Sequence, residues 1–309
     1  MAILYVLLGF VLVILGGKYL VHGSVELANK FKISTAVIGI TVVAFGTSAP
    51  ELWVSVNAAI SGHPDISMGN VIGSSIANIS LILGIVALIY PIQVLSTTII
   101  RDWAFLFFLA VLSVLFVFNN DISRIDAGIL FFVFILFVFI SFKQSKKNAK
   151  SMSFEPAKIP AWKSLLFIVF SCVALSYGAE FIVQGASEIA RYFGVDERTI
   201  SVTLIAFGTS IPELSTSIIA ALKKEMEISI GNIIGSNIFN IGAVLGITGL
   251  VNPIEIPNFF SKYLLDNSMM LFVSILLLIL ILPLNKAIIT RAKGGLLLTT
   301  YFVYIYLLF

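Results

Sequence analysis

Ala44-Phe45-Gly46-Thr47-Ser48-Ala49-Pro50-Glu51 and Ala206-Phe207-Gly208-Thr209-Ser210-Ile211-Pro212-Glu213 are one octapeptide written twice with a single difference, 162 positions apart in a chain of 309 residues. The register holds without a gap from Thr41–Gly84 to Thr203–Gly246, where 24 of 44 positions are identical. The identities fall on Gly, Ser, Thr, Asn, Pro and Glu as well as on Leu and Ile. Gly23 and Gly185, Glu26 and Glu188, Ala28 and Ala190, Phe31 and Phe193, and Pro91 and Pro253 extend the match outward. Duplication of a unit about half the length of the chain explains this pattern.

Outward from the repeat the sequence is apolar: 59% hydrophobic and 11% charged, with a mean hydropathy of +1.07, against roughly 25% charged residues in a soluble domain. A soluble enzyme is excluded. A bilayer crossing takes ~20 apolar residues, and ten candidate spans fall near residues 2–22, 36–60, 67–90, 102–118, 126–142, 162–186, 198–222, 228–250, 265–283 and 294–309. The expected fold is an all-α integral membrane protein of ten transmembrane helices. Residues 1–142 form a first five-helix repeat, 143–161 a basic linker with Pro156 and Pro160, and 162–309 the second repeat. The N-terminal run lacks the cationic start of a signal peptide and is read as a retained helix.

Five spans per unit is an odd number, so the second copy enters the membrane from the opposite side, the inverted-repeat design of secondary transporters. Connections after odd-numbered spans hold fourteen Lys and Arg, those after even-numbered spans four. Cytoplasmic loops retain such cations, so the 143–161 linker is expected in the cytoplasm, both termini outside, and the protein in the cell membrane. The net charge of +3 and its scatter give no footprint for nucleic acid.

Chemistry sits where polar residues interrupt a span. Glu51 and Glu213 lie well inside apolar runs, where an acidic residue costs at least ~2.5 kcal/mol. Pro50 and Pro212 withhold a hydrogen bond from the carbonyls of Gly46 and Gly208 and disfavour helix before them, so the spans break there and carbonyls are freed. Thr47 and Ser48 share a helix face with Glu51. In the second interruption, Gly69-Asn70-Val71-Ile72-Gly73-Ser74-Ser75-Ile76-Ala77-Asn78 and its copy Gly231 to Asn240, Ser74 and Asn78 share a face, and the glycines read as close-packing positions. Carboxylates, amides, hydroxyls and carbonyls, with no thiolate or imidazole, suit hard cations such as Ca²⁺ and Na⁺. Two glutamates neutralise one Ca²⁺ or two Na⁺, so mutually exclusive occupancy is a mechanism for exchange.

The duplicated GTSxPE and GNxIGSxxxN signatures resemble the alpha repeats of the cation/calcium exchanger superfamily, prokaryotic Na⁺/Ca²⁺ exchangers in particular, over essentially the whole chain. The resemblance implies an antiporter with four clustered cation sites, alternating access, and no prosthetic group. Carried over by position, Glu51 and Glu213 would ligate Ca²⁺ with the carbonyls of Thr47 and Thr209. Ala44, Ser48, Ser74, Ala206, Ser210 and Ser236 would complete flanking Na⁺ sites, and Asn78 and Asn240 would line the centre. Asn240 departs from relatives with an aspartate there and removes one charge. Spans one and six would slide as a pair, with Gly16-Gly17 and Gly178 at a smooth contact.

H⁺/Ca²⁺ antiport and a gated cation channel are the competing readings; an enzyme finds no HExxH and no paired-aspartate motif. Expected partners are the two ions and the bilayer, with the monomer as functional unit. Lys18 and Glu180, at equivalent repeat positions, read as structural or snorkelling charges. Phe131 to Phe142 reads as lipid-facing or packing surface, and His22, His63 and Cys172 as incidental.

Overall fold

Helix breakers are sparse and set the elements. The computed structural model describes residues 1–94, 99–119, 121–149, 154–195, 208–255, 263–282 and 288–308. Helix α1 (Ala2–Phe31) runs past its apolar stretch because Gly23 to Lys30 holds no proline and its polar residues Ser24 and Glu26 are buried. The second span is a broken element: α2 (Thr35–Ile38), a π-helical stretch Gly39–Val43 and α3 (Ala44–Thr47), followed at a 47° bend by α4 (Ala49–Ile60). Next come α5 (Pro64–Ala77), a π-helical stretch Asn78–Ile82 and α6 (Leu83–Ile89), then α7 (Ile99–Phe116). A capping box opens α8 (Arg124–Asn148), with Ser123 Oγ accepting from the Asp126 N–H at 3.3 Å and Asp126 Oδ2 accepting from the Ser123 N–H at 3.1 Å. Helix α8 continues past residue 142, so Lys143 to Asn148 is helical.

The second half repeats the order. Helix α9 (Ala161–Tyr192) is followed, beyond the undescribed residues 196–207, by α10 (Ile211–Leu222). Then α11 (Met226–Ile238), a π-helical stretch Phe239–Val244 and α12 (Leu245–Val251) reproduce α5 and α6, and α13 (Leu264–Ile281) and α14 (Arg291–Leu308) close the chain. Among the described residues, seven helices are long and apolar enough to cross a membrane, or eight with the bent α2–α4 as one span. Two short antiparallel pairs stand outside the all-helical expectation: β1 (Ile92–Gln93) with β4 (Ile288–Ile289), and β2 (Asp121–Ile122) with β3 (Ile254–Glu255). Each ties a connection of the first half to one of the second.

The centre is formed by α5–α6 and α11–α12, buried along most of their length, with α3, α4 and α10 against them. Glycines allow the close approaches. A β-carbon at Gly84 would lie 3.1 Å from the Gly294 carbonyl oxygen of α14, and one at Gly246 3.1 Å from that of Ala127 in α8. The outer helices bury one face and expose apolar side chains on the other. In α8, Phe137 is fully buried while Phe132 and Phe139 are exposed, as a multi-pass protein requires of surface facing hydrocarbon.

On the opposite flank α1 and α9 run antiparallel in continuous contact. β-Carbons at Gly9, Gly16, Gly23 and Gly185 would lie 2.7 Å from Gly178 O, 3.2 Å from Ser171 O, 2.9 Å from Ser164 O and 2.5 Å from Ala2 O. Because Gly16 matches Gly178 and Gly9 matches Ser171 at the repeat offset, the first two contacts are one contact seen from each half. The glycines at 16 and 178 lie at this interface, while Gly17 faces α10.

Candidate ion-binding site

Both broken segments put the same backbone device beside a glutamate. Ser48 (φ −92°, ψ 10°) ends α3 and precedes α4, with Pro50 in the first turn of α4; Ser210 (φ −88°, ψ 0°) and Pro212 do the same for α10. Proline is tolerated in a first turn, so the bend falls at the serine, two residues before the ring. Each glutamate therefore sits in the first turn of a helix, beside its positive end.

The structure brings the two copies together. Ser48 Oγ donates to Glu213 Oε1 at 2.7 Å, Thr47 Oγ1 donates to Asn232 Oδ1 at 3.0 Å, and Thr47 and Ser236 hydroxyls lie 3.4 Å apart. Glu51 and Glu213 are close enough to feel each other's charge. Ala44, Thr47, Ser48, Glu51, Asn78, Ser210, Glu213, Ser236 and Asn240 have no exposed surface, and Ser74 is 4% exposed. Thr209 is half-buried, and Ala206 lies outside the described residues. Asn78 opens one π-helical stretch and Asn240 lies inside its counterpart; such bulges are frequent at functional sites.

The site is under-satisfied as protein alone. Both oxygens of Glu51, Oε2 of Glu213, the hydroxyl of Ser210 and both polar atoms of Asn78 and Asn240 lack a hydrogen-bond partner among the described residues. An unpaired buried carboxylate costs several kcal/mol, and among the described residues no Lys or Arg pairs with either glutamate: the one ion pair there is Arg101–Asp102. No cluster of three His, Cys, Asp or Glu occurs there either. Oxygen donors with two negative charges are what remains, a donor set that fits a hard cation.

The sequence matches the sodium/calcium exchanger protein family over residues 1–143 and 163–309. The chain belongs to that family. It is 37% identical to CaxA of Alkalimonas amylolytica, covering all of this chain and 98% of that one. It is 32% identical to the sodium/calcium exchanger MaX1 of Methanosarcina acetivorans, covering 99% and 98%. A structure of the sodium-calcium exchanger NCX_Mj soaked with 2.5 mM Na⁺ and 0.1 mM Ca²⁺ superposes with a TM-score of 0.83 at 33% identity, covering 99% and 97%. The family is one of transporters rather than enzymes.

In this family member two polar pairs behind the glutamates escape a reading based on acids and prolines. Asn70 Nδ2 donates to the Glu51 carbonyl at 3.1 Å and to Ser55 Oγ at 2.9 Å. Asn232 Nδ2 donates to the Glu213 carbonyl at 3.4 Å and to Ser217 Oγ at 3.0 Å. Each amide fastens α5 or α11 to the first turn of α4 or α10. The signal was in the repeat, since Asn70 matches Asn232 and Ser55 matches Ser217, each serine four residues after its glutamate. Of the glycines read as close-packing positions, Gly231 and Gly235 are, with β-carbons there lying 3.0 Å from Ala36 O and 2.5 Å from Ile40 Cα, whereas Gly69 and Gly73 have no described atom within 4 Å of their β-positions.

Proposed function

We propose that the chain is a secondary antiporter exchanging Na⁺ for Ca²⁺ by alternating access. The observation that carries this reading is Glu51 and Glu213, fully buried, one from each copy, in first turns after a break, with three of four carboxylate oxygens lacking a donor among the described residues. Ca²⁺ binds both carboxylates and the carbonyls of Thr47 and Thr209. Na⁺ ions take the same carboxylates with Ala44, Ser48, Ser74, Ala206, Ser210 and Ser236, and Asn78 and Asn240 line the centre. Charge enforces exchange: two carboxylates balance one Ca²⁺ or two Na⁺, and an uncompensated pair is too costly in low dielectric to cross between states.

The architecture that serves this is ten crossing helices in two inverted repeats, 1–142 and 162–309, joined by the 143–161 linker. The antiparallel course of α1 and α9, which match at the repeat offset, supports the inversion. The bent α2–α4 span, α10 and the 18-residue α14 supply the crossings beyond the seven long apolar helices. The distribution of cations supports a cytoplasmic linker, extracellular termini and residence in the cell membrane. The monomer is the functional unit, since both glutamates come from one chain.

The test is ⁴⁵Ca²⁺ flux in proteoliposomes with Na⁺, K⁺ and pH gradients imposed separately. An outward Na⁺ gradient should drive Ca²⁺ uptake, and Glu51→Gln or Glu213→Gln should abolish it. Uptake driven by a pH gradient in Na⁺-free buffer would assign proton coupling instead.

A further inference from the structure

The contact of α1 with α9 is symmetric between the halves, yet their contacts with the rest of the molecule are not. On one flank a β-carbon at Gly17 of α1 would lie 2.6 Å from Ile219 of α10 and 3.6 Å from Ser215 O, and Lys223 Nζ donates to the Lys18 carbonyl at 2.8 Å. The repeat partners of Gly17, Ser215 and Thr216 are Ala179, Trp53 and Val54. Instead of packing together, these three line a cavity of about 540 Å³ between α9 and α4. Pro50, Thr209 and Pro212 also line it, so it reaches the turns that carry Glu51 and Glu213.

Glu180 is the one charged side chain among the described lining residues, held by Gln184 Nε2, which donates to its Oε1 at 2.9 Å. The residue at its matching position on α1 is Lys18, also exposed. When the cavity closes and its counterpart opens between α1 and α10, the repeat puts Lys18 where Glu180 now stands.

We infer that Glu180 recruits cations to the cavity mouth and that Lys18 opposes them at the mouth on the other face, so the two approaches to one buried site carry opposite charge. The inference rests on the antiport reading. A cleft with low-dielectric walls focuses the field of a single charge. The potential multiplies local ion concentration by a Boltzmann factor whose exponent scales with ion charge, so the gain for Ca²⁺ is the square of the gain for Na⁺. A unit charge ~8 Å from the path in water-filled space gives about twofold for Na⁺ and therefore about fourfold for Ca²⁺. Added salt erases both, because the Debye length falls to ~3 Å at 1 M.

The experiment is sided flux in proteoliposomes of defined orientation, with Glu180→Gln, Glu180→Asp and Lys18→Gln compared with wild type. In 20 mM choline chloride, Glu180→Gln should raise the half-saturating Ca²⁺ about fourfold and Na⁺ about twofold on the face where α9 ends, with maximal rate unchanged. Glu180→Asp should restore both, and 1 M choline chloride should remove the difference. Lys18→Gln should lower half-saturating Ca²⁺ on the opposite face only. Equal shifts for the two ions, a shift indifferent to salt, or the same shift on both faces would overturn the inference. Absence of Na⁺-coupled flux in wild type would sink the antiport reading separately. Recruitment would then be read from ⁴⁵Ca²⁺ association with purified protein, which Glu180→Gln must slow in a salt-dependent way.

Discussion

Lys32 and Lys224 hold left-handed backbone angles, φ 51° and 64°, that Gly194 and Gly62 hold at the matching positions of the other half. All four close their helices alike: the N–H groups of Lys32 and Ile33 reach the carbonyls of Asn29 and Ala28, and those of Gly194 and Val195 reach Arg191 and Ala190. Glycine takes this conformation freely, whereas a side chain there costs about 1–2 kcal/mol. The lysines fall in the connections read as cytoplasmic and the glycines in those read as external; in that proposed orientation, retention of positive charge accounts for a side chain where the backbone prefers glycine. Lys32→Gly and Lys224→Gly should each raise stability by about 1 kcal/mol, measured as a higher Tm in detergent. Asn232 is the other residue whose effect exceeds its size. Its amide holds the Glu213 carbonyl while its oxygen accepts from Thr47, so Asn232→Ala should weaken Ca²⁺ binding about tenfold by loosening both at once. Asn70, half-buried, should cost less. Equilibrium ⁴⁵Ca²⁺ binding ranks the two, and an unchanged Kd for Asn232→Ala would remove the amide from the site.

At the scale of elements, the repeat, the buried glutamates and the interrupted spans were legible because each violates the apolar background. The π-helical stretches were not. Nothing in Asn78–Ile82 or Phe239–Val244 distinguishes π from α geometry, since the choice is made by packing between helices distant in sequence. The strand pairs escaped for the same reason: β1 meets β4 across nearly two hundred residues. The break was expected at the prolines and lies at Ser48 and Ser210, because a proline is accommodated once the helix restarts before it. The packing that fixes one π stretch can be tested. A β-carbon at Gly235 would lie 2.5 Å from Ile40 Cα and 2.6 Å from Ile40 O, both backbone atoms of Gly39–Val43. Gly235→Ala should therefore destabilise by about 2 kcal/mol and displace Ser236 from Thr47, lowering transport. Gly295, with no described atom within 4 Å of its β-position, is the control: alanine there should be neutral or stabilising by thermal unfolding.

At the scale of the molecule, two copies of one sequence occupy unequal environments. Thr216 of α10 is fully buried on the flank closed by α1, whereas its repeat partner Val54 lines the cavity beside α9. Sequence could not disclose which flank is open, because under the alternating-access reading one chain must fold into both arrangements, and the repeat gives each flank the same pattern. With α1 and α9 bound to each other through Gly9, Gly16, Gly178 and Gly185, the pair can close one flank only by leaving the other. Accessibility must then follow the repeat in opposite senses. In a Cys172→Ser background, Val54→Cys should react with an impermeant thiol reagent from the side where α9 ends. Thr216→Cys should resist it from either side, by at least about tenfold, the ratio given by ~1.4 kcal/mol of preference for this conformation. Substituting Ala179→Trp would fill the cavity beside Val54 and bias the pair toward the reverse arrangement, in which α1 leaves α10. The labelling should then exchange: Val54→Cys becomes protected and Thr216→Cys reacts from the linker side. Protection of both cysteines would mean that the two flanks close independently, and α1 and α9 would not move as a pair.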